Sequence, residues 1–137
     1  MKAIVVTGGA GFIGSHTSLS LLEKGYNVFI IDSFVNSSKE IIDKIKDFHQ
    51  SNKKKFNNKF FFYENDLKDF DALDNIFLKI IKMKFNIEAV FHFAGYKSAS
   101  KSLEVPLEYW DNNFSMTINL IKIMSRYECN KIVFSSS

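Results

Sequence analysis

The apolar run Ala3-Ile4-Val5-Val6 leads straight into Thr7-Gly8-Gly9-Ala10-Gly11-Phe12-Ile13-Gly14, and this junction constrains the fold more than any other stretch. A helix-like segment follows from Phe12 to Lys24. A second apolar run, Val28-Phe29-Ile30-Ile31, then ends in the carboxylate of Asp32. Glycines permit a tight turn and let backbone N–H groups approach an anion where a side chain would collide. The helix start adds unpaired N–H donors and the positive end of its dipole at the same place. Asp32, 18 residues after Gly14, is spaced to accept hydrogen bonds from ribose hydroxyls. Strand, glycine turn, helix, strand and acid in this order predict a site for the adenosine half of a dinucleotide.

Two glycine spacings can be read, Gly9-Gly11-Gly14 or Gly8-Gly11-Gly14, and the second is that of short-chain dehydrogenases and reductases. The acid also selects the cofactor. A carboxylate at Asp32 repels the 2′-phosphate of NADP, and no arginine lies nearby to receive one, so the expected cofactor is NAD.

Strand and helix signals alternate along the chain. Strands are expected at residues 2–7, 27–31, 59–64, 88–93 and 131–134. Helices are expected at 12–24, ended by Gly25, and at 38–48, with Ile41, Ile42, Ile45 and Phe48 inward. The next helix carries Leu73, Ile76, Phe77, Ile80 and Ile81 at amphipathic spacing. The last is expected over 106–126, with Pro106 in its first turn and Leu107, Trp110, Phe114, Thr117, Ile121 and Met124 as its inner stripe. This alternation predicts an α/β fold, a doubly wound parallel sheet of the Rossmann type in the order 3-2-1-4-5. Ligands of such sheets bind at the carboxyl ends of the strands. The glycine turn, Asp32, Asp66, residues 94–97 and the serines at 135–137 all fall at that edge.

At 137 residues, the chain suffices for one domain with a core, and residues 1–137 are expected to form a single NAD-binding unit. No apolar stretch approaches the roughly 20 residues of a membrane span, and a strand starting near residue 2 leaves no room for a signal peptide. The single Cys129 excludes an intrachain disulfide and suits a reducing compartment, so a cytoplasmic location is expected. A net charge of +3 is too small for a nucleic-acid surface, and Lys53-Lys54-Lys55 reads as part of a solvated loop over residues 51–59.

Several segments together resemble the UDP-glucose 4-epimerases, extended short-chain dehydrogenases/reductases. They are TGGAGFIGSH at 7–16, Asp32 with Asn36-Ser37, HFAG at 92–95 with Lys97, PLEY at 106–109 with Asp111-Asn112-Asn113, and VFSSS at 133–137. The likeness runs over essentially the whole chain and corresponds to the N-terminal part of those enzymes. The resemblance implies a cofactor site of Gly8, Gly11, Phe12, Ile13, Gly14, Asp32, Asn36, Ser37, Asp66, Leu67, Phe93, Ala94, Gly95, Lys97 and Asn112. It also implies that Ser137 assists a catalytic tyrosine. Its substrate would be a UDP-hexose, and the longer enzyme would be a homodimer. Read as residues alone, Asp66 could cap a helix or turn, Lys97 and Asn112 could be surface residues, and the serines could be only a turn. His92, between two phenylalanines, reads as a core residue and not as a base. Tyr96 and Ser100-Lys101 depart from the family's usual leucine and Gly-Glu.

The family's catalytic Tyr-x-x-x-Lys on the helix after strand five is absent from these 137 residues, as is a sugar-nucleotide domain. Tyr127 and Lys131 match that spacing by accident, because they fall at the opposite, amino edge of the sheet. The chain alone is therefore expected to bind NAD without catalysing epimerisation. Other readings of the sequence are an NAD-dependent nucleotide-sugar dehydratase or decarboxylase, and a non-catalytic NAD-sensing domain.

Overall fold

Five apolar runs pair as parallel strands because the segments between them fold as helices that carry the chain back across the sheet. The computed structural model describes residues 1–96 and 98–135. The strands are β1 (Lys2–Thr7), β2 (Asn27–Asp32), β3 (Phe60–Glu64), β4 (Asn86–His92) and β5 (Ile132–Phe134), and the sheet order is β3-β2-β1-β4-β5, as the sequence predicts. The helices are α1 (Phe12–Glu23), α2 (Lys39–Ser51), α3 (Phe70–Lys82), α4 (Ala99–Glu104) and α5 (Pro106–Arg126).

Alternate residues of β1 and β2 enter opposite faces, as the two-residue period of a strand requires. Ile4, Val6, Val28 and Ile30 pack with Leu22 of α1 and Ile42 and Ile45 of α2. Ala3, Val5, Phe29 and Ile31 pack with Leu73, Phe77 and Ile80 of α3 and Leu120 and Ile123 of α5. Each fully buried side chain of this size is worth about 1.5–3 kcal/mol, so the two-sided burial of β1 and β2 anchors the sheet. The sheet edge is different: all three residues of β5 are exposed.

Three expectations need correction. The inner stripe of α5 is Met116, Leu120, Ile123 and Met124, which shares only Met124 with the one expected. Leu107, Trp110, Phe114 and Ile121 are 83%, 66%, 50% and 48% exposed. Two apolar stripes share this helix about 100° apart, and the sheet and α3 take the one built around Leu120. The second correction is α4, which has no buried residue and hence no periodic apolar signal; Ser98 caps it by accepting the Lys101 N–H at 3.3 Å. The third concerns residues 51–59. The three lysines are exposed, but Phe56 is buried against Phe48 and His49. Asn58 donates through Nδ2 to the Leu22 and Tyr26 carbonyls at 2.8 and 2.6 Å and so ties this segment to the end of α1.

Candidate functional site

The glycine turn separates glycines that the chain's own packing requires from one that it does not. Gly8 has φ +67°, and a Cβ there would lie 2.6 Å from the Ala94 nitrogen, so the residue lets the end of β4 come against the turn. A Cβ on Gly14 would collide with the Gly8 carbonyl oxygen and approach the Gly9 Cα at 2.8 Å, so this glycine lets α1 seat on the turn. A Cβ on Gly11 would meet only the Gly8 oxygen, at 3.3 Å. Among the described residues, the chain gives little packing reason for a glycine at this position.

Gly11 is also the N-cap of α1. Among the described residues, no side chain caps that helix and its first turn carries no acid, whereas α2, α3 and α4 are capped by Ser38, Asp69 and Ser98. Phe12 and Ile13 at its start are largely exposed. Helix dipole and first-turn N–H groups thus face outward beside Gly11, an arrangement suited to an anion.

Asp32 lies beside this helix start. Its carboxylate is buried and holds three hydrogen bonds. Oδ2 accepts from the Ala10 N–H at 2.9 Å, and Oδ1 accepts from the Phe34 N–H at 2.8 Å and the Ser37 hydroxyl at 2.9 Å. Phe34 takes φ +59° to make its bond, a left-handed conformation uncommon for a bulky residue. Asn36 is exposed on the same loop.

At the end of β4, Phe93 donates its N–H to the Thr7 carbonyl at 3.0 Å and Ala94 donates its own to Thr7 Oγ1 at 3.4 Å. His92 is buried, as expected of a core residue; Nδ1 lies 2.6 Å from Thr7 Oγ1 and Nε2 3.0 Å from Thr117 Oγ1. The Thr117 hydroxyl also donates to the Asn113 carbonyl at 2.8 Å, so both threonine hydroxyls fix the His92 ring in place. Asn113 pairs with both backbone groups of Tyr96, accepting its N–H at 2.8 Å and donating to its carbonyl at 3.1 Å. Gly95, at φ +140°, leaves room for that amide, since a Cβ there would lie 3.0 Å from Asn113 Oδ1. Thr7, Ala10 and Asn113 lie inside the sequence motifs but carry no role in the sequence reading, and Thr117 stands there only on the expected inner stripe of the last helix.

The expected site residues are thus distributed unevenly. Gly8, Gly11, Phe12, Ile13, Gly14, Asp32, Ser37, Phe93, Ala94 and Gly95 gather at the carboxyl ends of β1, β2 and β4. Asp66 follows β3 and is exposed; its Oδ1 accepts the Lys68 N–H at 2.9 Å in a local turn, while Asp69 caps α3. The Leu67 side chain is buried in the core, and its carbonyl accepts from Asn119 of α5 at 3.0 Å. Asn112 is buried, not a surface residue, and its amide donates to Asn113 Oδ1 at 3.2 Å. Lys97 and Ser137 lie outside the described residues. Tyr127 sits past the far end of α5, where its hydroxyl donates to the Asp74 carbonyl at 3.3 Å, and burial raises its pKa further from a base's range.

The sequence matches the family described as GDP-mannose 4,6 dehydratase over residues 5–137. The chain belongs to this family. Among curated proteins, it is 47% identical to a UDP-glucose 4-epimerase of Schizosaccharomyces pombe over 134 residues, which are 98% of this chain and 34% of that protein. It is 43% identical to the UDP-glucose 4-epimerase of Bacillus subtilis over 135 residues, 98% of this chain and 36% of that protein. Among solved structures, it superposes on UDP-glucose 4-epimerase from Bifidobacterium longum in complex with NAD+ and UDP with a TM-score of 0.85 and 36% identity. That match covers 100% of this chain and 37% of the other. The chain thus spans about a third of the length of the epimerases it matches. Among the described residues, no helix is long and apolar enough to cross a membrane.

Proposed function

We propose that residues 1–137 form the NAD-binding part of a UDP-glucose 4-epimerase, which interconverts UDP-galactose and UDP-glucose through a 4-keto intermediate. The observation that carries this reading is the uncapped start of α1 at Gly11, open in front and flanked by the buried carboxylate of Asp32. These residues fit the adenosine and pyrophosphate parts of a dinucleotide: the backbone N–H groups of Phe12 and Ile13 receive the anion and Asp32 accepts from the ribose, with Asn36 and Ser37 beside it. Asp66 and the backbone of Leu67 border the adenine. Phe93, Ala94, Gly95 and Lys97 pass along the cofactor towards the nicotinamide, and Asn112 is a further cofactor contact.

Bound NAD supplies a reversible hydride acceptor, which inversion at a secondary carbinol carbon requires. These residues bind and orient it. Ser137 holds the reacting hydroxyl beside the tyrosine of a Tyr-x-x-x-Lys pair on the helix after strand five, a pair other than Tyr127 and Lys131. A tyrosine of pKa about 10 needs a lysine and the positive cofactor close by to act as a base at neutral pH. A UDP-hexose is the substrate, a homodimer the assembly of the longer enzyme, and the cytoplasm its place, in galactose metabolism. The single buried thiol of Cys129 is in keeping with a reducing compartment.

Calorimetry on the 137-residue chain tests the reading. NAD should bind more tightly than NADP by at least about tenfold, or 1.4 kcal/mol. The chain should not convert UDP-galactose to UDP-glucose unless it is continued by a segment carrying Tyr-x-x-x-Lys. Failure to bind NAD, or turnover by the chain that is lost on Tyr127→Phe, would overturn it. The family's description favours a second reading, a nucleotide-sugar 4,6-dehydratase. Such an enzyme would carry acidic residues next to Ser137's position and, once continued by its downstream segment, would yield a deoxy-keto sugar.

A further inference from the structure

Two carboxylates end neighbouring strands at one level of the sheet. Asp32 of β2 and Glu64 of β3 are register partners, on strands about 4.8 Å apart. Asp32 is buried and bonded to its own loop and to the glycine turn; Glu64 is exposed and holds a cation. Lys39, the first residue of α2, places Nζ 3.0 Å from Glu64 Oε2 and 5.6 Å from the centroid of the Phe34 ring. The Phe34 N–H is in turn one of the donors to Asp32 Oδ1. Lys39 is also the one basic residue in the sequence between Lys24 and Lys44. The loop that fastens Asp32 therefore does have a cation beside it, though no arginine, and Glu64 has captured it.

We propose that Glu64 is a second determinant of cofactor choice, holding Lys39 in an ion pair that withholds its ammonium from a 2′-phosphate. A lysine is an effective partner for phosphate when it is free, and its long stem lets the ammonium reach across a loop. Paired with Glu64, it no longer offsets the charge of Asp32, and the edge facing the ribose keeps net negative charge within one screening length. An ion pair this exposed contributes little to stability, so the bonds that hold the fold do not explain its geometry and its removal leaves the sheet intact. The inference rests on the NAD-binding reading and extends it from Asp32 to a neighbouring strand.

The test compares the dissociation constants of NAD and NADP for the 137-residue chain, for Glu64→Gln, for Lys39→Ala and for the double variant, with NADP measured by displacement of NAD. Glu64→Gln should tighten NADP binding about two- to fivefold, the size of one exposed charge contact, and leave NAD within about twofold. Adding Lys39→Ala should abolish the gain, and raised salt should shrink it. An unchanged NADP-to-NAD ratio in Glu64→Gln, or a gain that survives Lys39→Ala, overturns the proposal while NAD binding by the unmodified chain stands. Absence of NAD binding by the unmodified chain overturns the underlying reading and this inference with it.

Discussion

The backbone N–H of Ala10 donates to Asp32 Oδ2 at 2.9 Å and joins the glycine turn after β1 to the acid that ends β2. The two motifs are 22 residues apart in the chain and are one structure in the fold. Whatever binds at the start of α1 is therefore presented to a carboxylate whose position is set by the turn itself.

Replacing Asp32 tests both roles of that contact. Asp32→Ala leaves the Ala10 N–H, the Phe34 N–H and the Ser37 hydroxyl without their acceptor, and unsatisfied buried groups cost about 1–3 kcal/mol. The expected outcome is a lower urea midpoint, NAD affinity reduced at least about tenfold, and a narrower preference over NADP. Unaltered NAD affinity in a folded variant would remove Asp32 from the site.

The glycines should respond differently from one another. Gly11→Val should keep the far-ultraviolet circular dichroism of the parent and lose NAD binding, because its side chain enters the space in front of α1. Gly14→Ala should instead lower thermal stability, since its Cβ meets backbone of the turn, and an overpacked contact costs about 1–3 kcal/mol. The reverse pattern would mean that the ligand approaches elsewhere.

Asn58 makes the lysine-rich segment part of the fold. Asn58→Ala removes both donors to the end of α1 and the oxygen near His49 Nε2, and should cost about 1–3 kcal/mol in urea unfolding. The triple change of Lys53, Lys54 and Lys55 to Gln, at exposed positions, should stay within about 0.5 kcal/mol. Equal effects from the two would contradict the clasp.

Burial pushes the Cys129 thiol pKa up. A buried group that resists ionisation favours the fold below the ordinary thiol range of about 8.5, and that contribution fades as pH rises through the raised folded value. Alkylation by iodoacetamide near pH 8.5 should accordingly be at least about tenfold slower in the native chain than in urea. Similar rates would mean an accessible thiolate.

Much of the fold was legible because the deciding signals are local. Parallel strands buried on both faces read as unbroken apolar runs, and Leu73, Ile76, Phe77 and Ile80 turn inward as a helical period requires. The turn and its acid were legible for a similar reason: a glycine that must admit a backbone or an anion leaves a mark in the sequence itself.

The rest depended on contacts between residues far apart in the chain. Helix α5 carries two apolar stripes that share Met124, and only docking on the sheet and α3 buried Leu120 and left Trp110 outside. The Thr7–His92 bond spans 85 residues, and Asn58 reaches back 36 residues to Leu22. Lys39 meets Glu64 only because β3 lies beside β2 in a particular register. Periodicity, propensity and turn chemistry act within a few residues, so the sequence alone determined the elements other than α4, their order and the glycine turn. Which surfaces are buried, which acid holds which cation and which threonines hold His92 are set by the packing free energy of the assembled sheet, and only the tertiary structure decided them.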